Sequence, residues 1–180
     1  MYDKLPGKFH YFYKIYQSKF RQMELDHDVI FHQGMCSMQW CEKNIKKTDN
    51  ATIILDDLAR DISADTAEIF AVGSHHLKMN VCLVVHNLFE KNIAFRNISL
   101  NSRYICIQKN PRDSSTITNF AKQFDPGNGQ RMVNIYKDAT ERPFSYLFLD
   151  MDQYTPEQYR LRSNIFFEGD TPIELFERGS

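Results

Sequence analysis

Two adjacent carboxylates, Asp56 and Asp57, close the apolar run Ala51 to Leu55. A run of that kind is typical of a strand buried on both faces. In an open α/β sheet, ligands bind beyond the carboxyl ends of the strands. One carboxylate there can hold Mg²⁺ through water, and its neighbour can orient an attacking water for phosphoryl transfer. Asp56 is then the metal-side residue and Asp57 the base. The plain alternative is that a strand end meets solvent and Asp caps the following turn.

The usual partner of such a pair is a Gly-rich turn ending in Gly-Lys-Ser/Thr, whose backbone N–H groups and lysine cradle phosphates. The chain has only 7 Gly. Leu5-Pro6-Gly7-Lys8 has no earlier Gly, no hydroxyl after the Lys and no preceding strand. No Gly-x-Gly-x-x-Gly is present either. His75-His76 invites a metal, but adjacent residues point apart on regular structure and no further ligands are evident, so a phosphate-facing or nucleic-acid-facing role suits them better. His86-Asn87 follows Val81 to Val85 and repeats the pattern of a strand with a polar tip. It could sense a γ-phosphate or simply cap a turn. Lys109, which could contact phosphate or nucleic acid as His75 and His76 could, and Arg112 lie in Lys109-Asn110-Pro111-Arg112-Asp113. Arg112 suits a subunit-interface arginine that stabilises phosphoryl charge, or a solvated residue in a Pro turn. Arg96, Arg103, Arg160 and Arg162 form no stripe. No Ser/His/Asp or Cys/His set assembles, and no deaminase-type zinc signature is present.

These residues need strands and helices to place them. Phe9 to Tyr16, Val29 to Phe31, Ala51 to Leu55, Val81 to Val85, Tyr104 to Ile107, Tyr146 to Leu149 and Asn164 to Phe167 read as strands. Ser18 to Glu24 reads as a helical turn, Met35 to Ile45 is ambiguous, and Asp61 to Val72 reads as a helix ended by Gly73-Ser74. Ser114 to Phe124 and Gln130 to Thr140 complete the helices, separated by the turn Pro126-Gly127-Asn128-Gly129. Buried strands alternating with helices predict an α/β three-layer sandwich. Residues 1–171 read as one domain and 172–180 as a peripheral tail, with Gly179-Ser180 set aside as a cloning remnant.

The bulk properties exclude several classes. With 180 residues, 42% hydrophobic and 25% charged, the chain can bury a core and is not of the disordered kind. Net charge is -1, so no polyanion partner is demanded. Cys36, Cys41, Cys82 and Cys106 have no zinc spacing and read as reduced thiols, Cys82 and Cys106 as small apolar side chains within strands. Reduced thiols suit a nuclear or cytoplasmic protein. Met1 to His10 has no signal pattern, and no apolar run approaches a membrane span.

The order of the segments resembles the FtsK/HerA-like DNA-packaging ATPases of Maverick/Polinton elements and related viruses. The stretches that carry the resemblance are Phe31-His32-Gln33-Gly34, Ile53 to Leu58, Gly73 to Val81, His86-Asn87-Leu88-Phe89, Arg96 to Tyr104, Lys109 to Asp113, Tyr136 to Thr140, Tyr146 to Asp150 and Arg160 to Asn164. They cover most of the chain from about Phe9. The resemblance implies a P-loop (ASCE/RecA-like) core without its first strand and P-loop, with Asp56-Asp57 as the Walker B acids and Asn87 as the sensor. His86 stands where the family tends to have Gln. It adds weight to Arg112 as an interface residue. An intact member uses ATP and Mg²⁺, with Asp56 holding the ion through water, whereas none is expected for this chain alone. The expectation is a degenerate, non-hydrolysing module that binds a protein partner or its own copies, with nucleic acid nearby and no membrane. The alternative is a portion of an ATP-driven DNA translocase, and a third is a metal-dependent nuclease built on Asp56, Asp57 and a His.

Overall fold

The structure is a computed structural model that describes residues 7–86, 93–111, 114–124, 126–165 and 173–176. The chain is α/β and divides into two compact units, Met1–Asn101 and Ser102–Ser180. The division falls inside the span read from sequence as one domain, and it follows from the sheets. The first four strands form one sheet and the last four another.

In the first unit β1 (Lys8–Tyr13), β2 (Val29–Gln33), β3 (Ala51–Asp56) and β4 (Asn80–Val84) are all parallel, in the order β2-β1-β3-β4. Parallel neighbours require crossovers, and α1 (Lys19–His27), α2 (Met38–Asn44) and a longer helical run supply them. Strand alternation sends Phe12, Ile53 and Leu55 to one face, where they pack with Cys36, Cys41, Ile69 and Met79. Tyr11 points to the other face and packs with Phe20 and Val29. Phe20, from α1, is fully buried and stacks on Phe31 at 4.5 Å between ring centroids. Burying a side chain of that size stabilises by about 2–3 kcal/mol. Helices thus cover both faces of a parallel sheet.

Ser37 caps α2 by accepting the Trp40 N–H at 3.1 Å. Trp40 lies edge-on to His10, Phe12 and His32. His10 Nδ1 and His32 Nε2 are 3.1 Å apart, so one ring donates and the other accepts. Burial lowers the pKa of both imidazoles, and for His10 the neighbouring His32 adds to the effect.

Gly73-Ser74 does not end a helix, contrary to the sequence expectation. Ser63 and Thr66 form a capping box at the start of α3 (Ala64–Glu68), which runs through a π turn, Ile69–Gly73, into α4 (Ser74–His76). Gly73 is needed for close approach. A Cβ there would lie 2.9 Å from Met38 Sδ and 3.2 Å from Met79 Cε. Helix α5 (Ile93–Asn101), which the sequence analysis lacks, buries Ala94, Phe95 and Ile98 against Ile62.

In the second unit β5 (Tyr104–Gln108), β6 (Tyr146–Asp150), β7 (Leu161–Ser163) and β8 (Glu174–Leu175) pair antiparallel in that order. Helices α6 (Ser114–Phe124) and α7 (Gly129–Ala139) join β5 to β6. Ile105, Ile107, Leu147, Leu149 and Leu161 meet Ile117, Ala121, Met132 and Val133 in one core. The opposite face carries Tyr104, Cys106, Phe148 and Arg162. One buried and one open face is the usual state of an antiparallel sheet, and it explains why β5 is not the fully buried strand that its apolar run predicts. The last strand also differs from expectation: Leu161–Ser163 pairs, Asn164 and Ile165 follow it without strand structure, and Phe166 and Phe167 lie outside the described residues. The peripheral tail of the sequence analysis contains β8, and Phe176 donates its N–H to Leu161 at 3.0 Å.

Candidate functional site

The strand order of the first unit creates a switch point. The chain leaves β1 for β2 on one side, then returns past β1 to β3 on the other. Crossovers diverge there, and the space outside the carboxyl ends of the strands at such a point is the usual ligand position in sheets of this kind. Asp56 and Asp57 lie at that end of β3.

Asp56 is half-buried and accepts the Tyr11 hydroxyl at 2.7 Å, from the adjacent strand β1. Burial pushes the Tyr11 pKa well above its ordinary value, and the bond to Asp56 adds to this, so the phenol remains a donor. The contact fixes one carboxylate oxygen of Asp56 through a neutral partner. Asp57 has a left-handed backbone at φ 54, a conformation that short polar residues tolerate better than branched ones. Its N–H points to the Val84 carbonyl at 3.4 Å, across to β4. Its carboxylate lies 3.8 Å from His86 Nε2, both side chains being largely exposed. Water screens a pair of that kind strongly. Lys14, just beyond β1, reaches Asp61 at 2.9 Å.

The expected residues are only partly brought together. Asp56, Asp57 and His86 share the carboxyl edge of the parallel sheet. His75 and His76 are exposed at the end of the helical run that leads into the amino end of β4, so they belong to the opposite edge. Lys109 follows β5 in the second unit. The segment after it is held by Tyr136, whose hydroxyl accepts the Asn110 N–H at 3.0 Å and donates to the Gln108 carbonyl at 3.2 Å. Asn87 and Arg112 lie outside the described residues. Tyr11 and Lys14 were not singled out by sequence. Alternation along Phe9 to Tyr16 did mark the strand, but only the parallel register, Tyr11 beside Ile54 and Tyr13 beside Asp56, shows which acid the phenol meets.

The donors fit one half of a metal–nucleotide site. Mg²⁺ needs only one or two carboxylates when waters and phosphate oxygens complete its octahedron, and Asp56 and Asp57 can supply them. The phosphate half does not fit the described residues. Gly34, at the end of β2 with φ 96, is the sole described positive-φ glycine, and its N–H is bonded to the Tyr13 carbonyl at 2.8 Å. Among the described residues no group of three or more His, Cys, Asp or Glu is placed to hold an ion, and no helix is long and apolar enough to cross a membrane.

Both buried thiols, Cys36 and Cys41, are free, with Sγ atoms 3.3 Å apart. The hydrogen bond to Cys41 and burial push the Cys36 thiol up. Cys82 and Cys106 are exposed rather than buried apolar side chains as their sequence context suggests, because each lies on a strand at the edge of its sheet.

Comparison with protein-family models, with curated proteins and with solved structures finds no match.

Proposed function

We propose that the first unit is the acid half of a P-loop-ATPase-like site, of the ASCE/RecA-like kind, and that the chain serves as a binding or scaffolding module that does not hydrolyse ATP by itself. The observation that carries this is the placement of Asp56 and Asp57 at the switch point, with Asp56 held by the Tyr11 hydroxyl, in a sequence without a phosphate cradle. Bound ATP and Mg²⁺ would supply the phosphoryl group and the charge that balances it. In that setting Asp56 would hold the ion through water, Tyr11 would fix the carboxylate, and Asp57 would orient a water with His86 beside it. Without a cradle for the β- and γ-phosphates, positioning fails, and positioning with electrostatics is nearly all that phosphoryl transfer asks of a protein.

A second reading shares the same acids: a portion of a DNA-packaging translocase of the FtsK/HerA-like kind whose phosphate loop is supplied from elsewhere. The Tyr11–Asp56 contact favours it, since a pure scaffold has no need to orient that carboxylate.

Isothermal titration of ATP with Mg²⁺ into the purified chain tests the proposal, with solution mass from light scattering. No heat of binding, together with a defined assembly, is expected. Micromolar binding that Asp56→Ala abolishes would overturn the non-hydrolysing scaffold, because a phosphate site would then exist without the loop.

A further inference from the structure

We infer that Cys36 and Cys41 are a peroxide-sensitive dithiol, a modification site whose two thiols close reversibly into a disulfide that locks the first turn of α2. The site comes from the helix cap. Ser37 is the N-cap of α2, its Oγ accepting the Trp40 N–H and its carbonyl accepting the Cys41 N–H at 3.0 Å. Cys36 therefore precedes the cap, and Cys41 is the fourth residue of the helix. Those two positions meet across a capped helix start and are often filled by an apolar pair that staples the entering chain. Here thiols fill both, in one core cluster with Phe12, Ile45 and Leu55.

Buried thiols often serve only as small apolar side chains. The contact between these two sets them apart. The Sγ atoms lie 3.3 Å apart and a disulfide brings them to about 2.05 Å, so an approach of about 1.2 Å closes the bond. With Cys36 as the donor, the hydrogen bond pushes the Cys36 pKa up and pulls the Cys41 pKa below its ordinary value, against the effect of burial. Cys41 is thus the sulfur that ionises, and the thiolate is the nucleophile. Cys36, kept protonated beside it, is the resolving thiol.

Burial selects the oxidant. Cys36 is 1% exposed and Cys41 is 0% exposed, which shuts out bulky disulfides. Hydrogen peroxide is uncharged and little larger than water, and it enters when the connection Gly34 to Ser37 opens locally. Gly34, Met35 and Ser37 are only half-buried there. The Cys41 thiolate attacks one peroxide oxygen, the O–O bond breaks, and the departing hydroxide takes up a proton as water, leaving a sulfenic acid. The Cys36 sulfur then attacks the Cys41 sulfur, and the sulfenic hydroxyl leaves with the Cys36 proton as a second water. The two thiols lose two electrons and two protons in all, and peroxide becomes two waters. A dithiol reductant reverses the step by exchange and becomes a disulfide itself. The acid site takes no part.

The test treats the full folded chain with hydrogen peroxide, removes the excess with catalase, alkylates the remaining thiols in urea and maps tryptic peptides by mass. The peptide Gln22 to Lys43 holds both cysteines. It is expected to lose two hydrogen atoms, to escape alkylation at Cys36 and Cys41, and to recover both thiols after dithiothreitol. Oxidation of Met35 or Met38 adds oxygen and reads separately. Cys36→Ser keeps a donor to Cys41 but removes the resolving thiol. Cys41 is then expected to persist as a sulfenic acid trapped by dimedone, with an unchanged far-UV circular dichroism spectrum. A folded chain whose Cys36 and Cys41 both remain alkylated overturns the inference. So does a disulfide that forms only when peroxide meets the unfolded chain, or one that joins either thiol to Cys82 or Cys106. A folded Cys36→Ser chain without the Cys41 adduct overturns it too, and the unsubstituted chain decides the matter if that variant misfolds. No readout involves nucleotide, so the dithiol and the acid site stand or fall independently.

Discussion

An apolar strand ending in acid occurs twice in this molecule, and the two occurrences are treated differently. In the first unit β3 ends in Asp56-Asp57, whose partners are a neutral phenol and an exposed imidazole. In the second unit β6 ends in Asp150, with Asp152 two residues later. Asp150 is 6% exposed and takes the Arg162 guanidinium at 2.5 Å. Asp152 pairs with Arg103, and Arg160 Nη1 donates to the carbonyls of Asp150 and Asp152 at 3.1 and 2.9 Å. Arg103 and Arg162 also lie over the rings of Tyr104 and Phe148. Acids already neutralised by arginine have little left to offer a cation. Acids held by neutral or screened partners keep their charge available. The motif alone does not separate structural from chemical carboxylates, but their partners do.

The largest expected effect breaks the structural pair. Asp150→Ala leaves the Arg162 guanidinium unpaired and is expected to cost about 3 kcal/mol in urea unfolding, the range for severing a buried ion pair. Tyr11→Phe removes one partly buried hydrogen bond and is expected to cost about 1 kcal/mol, while raising the freedom of Asp56. A cost as large as that of Asp150→Ala would erase the distinction between the two acids.

Acid pH sharpens the contrast further, because all six His precede residue 102. The folded pKa values of His10 and His32 lie below the ordinary 6.5. The unfolded chain therefore takes up protons first as pH falls. Stability from this pair is complete above about pH 6.5 and is lost as pH drops towards the depressed folded values. His32, Lys8 and Asp49 are the charged or titratable neighbours of His10, and Asp49 opposes the shift. Unfolding followed by fluorescence of Trp40, the single tryptophan, is expected to move to lower urea between about pH 7.5 and 5.5. His10→Phe is expected to flatten that dependence. The smallest effect belongs to Asp57→Asn. Its pair with His86 is exposed, and Asn also tolerates a left-handed backbone, so stability is expected to change by less than about 0.5 kcal/mol. A larger loss would show that Asp57 is structural after all.

The first unit was the more legible from sequence. Ala51 to Leu55 read correctly as a strand buried on both faces, because β3 is flanked by strands on both sides and helices cover it. Val81 to Val85 and Tyr104 to Ile107 look the same in composition, yet both lie at sheet edges. Apolar content reports burial only where neighbours exist, and a single sequence does not state strand order. Gly73 misled for a related reason: its missing side chain serves packing against Met38 and Met79, not termination. Of the candidate site, Asp56, Asp57 and His86 were legible as strand-tip residues, since polarity changes abruptly there. Tyr11 was not, because its role depends on a parallel register with a strand more than forty residues away. His75-His76 gave no sign that the crossover would carry them to the far edge.

The π turn at Ile69–Gly73 makes this crossover tolerant of length at one place only. A π turn holds one residue more than an α turn over the same axial distance. Each residue of an α-helix advances the side chains by about 100° around the axis. Deleting one residue between Ile69 and Gly73 would let the hydrogen bonds close as a plain helix and leave His75 and His76 on the same side of it. Deleting one from Ala64–Glu68 would instead swing them round by that angle. The extra residue is thus slack, taken up in one wide turn so that the side chains after it keep their phase.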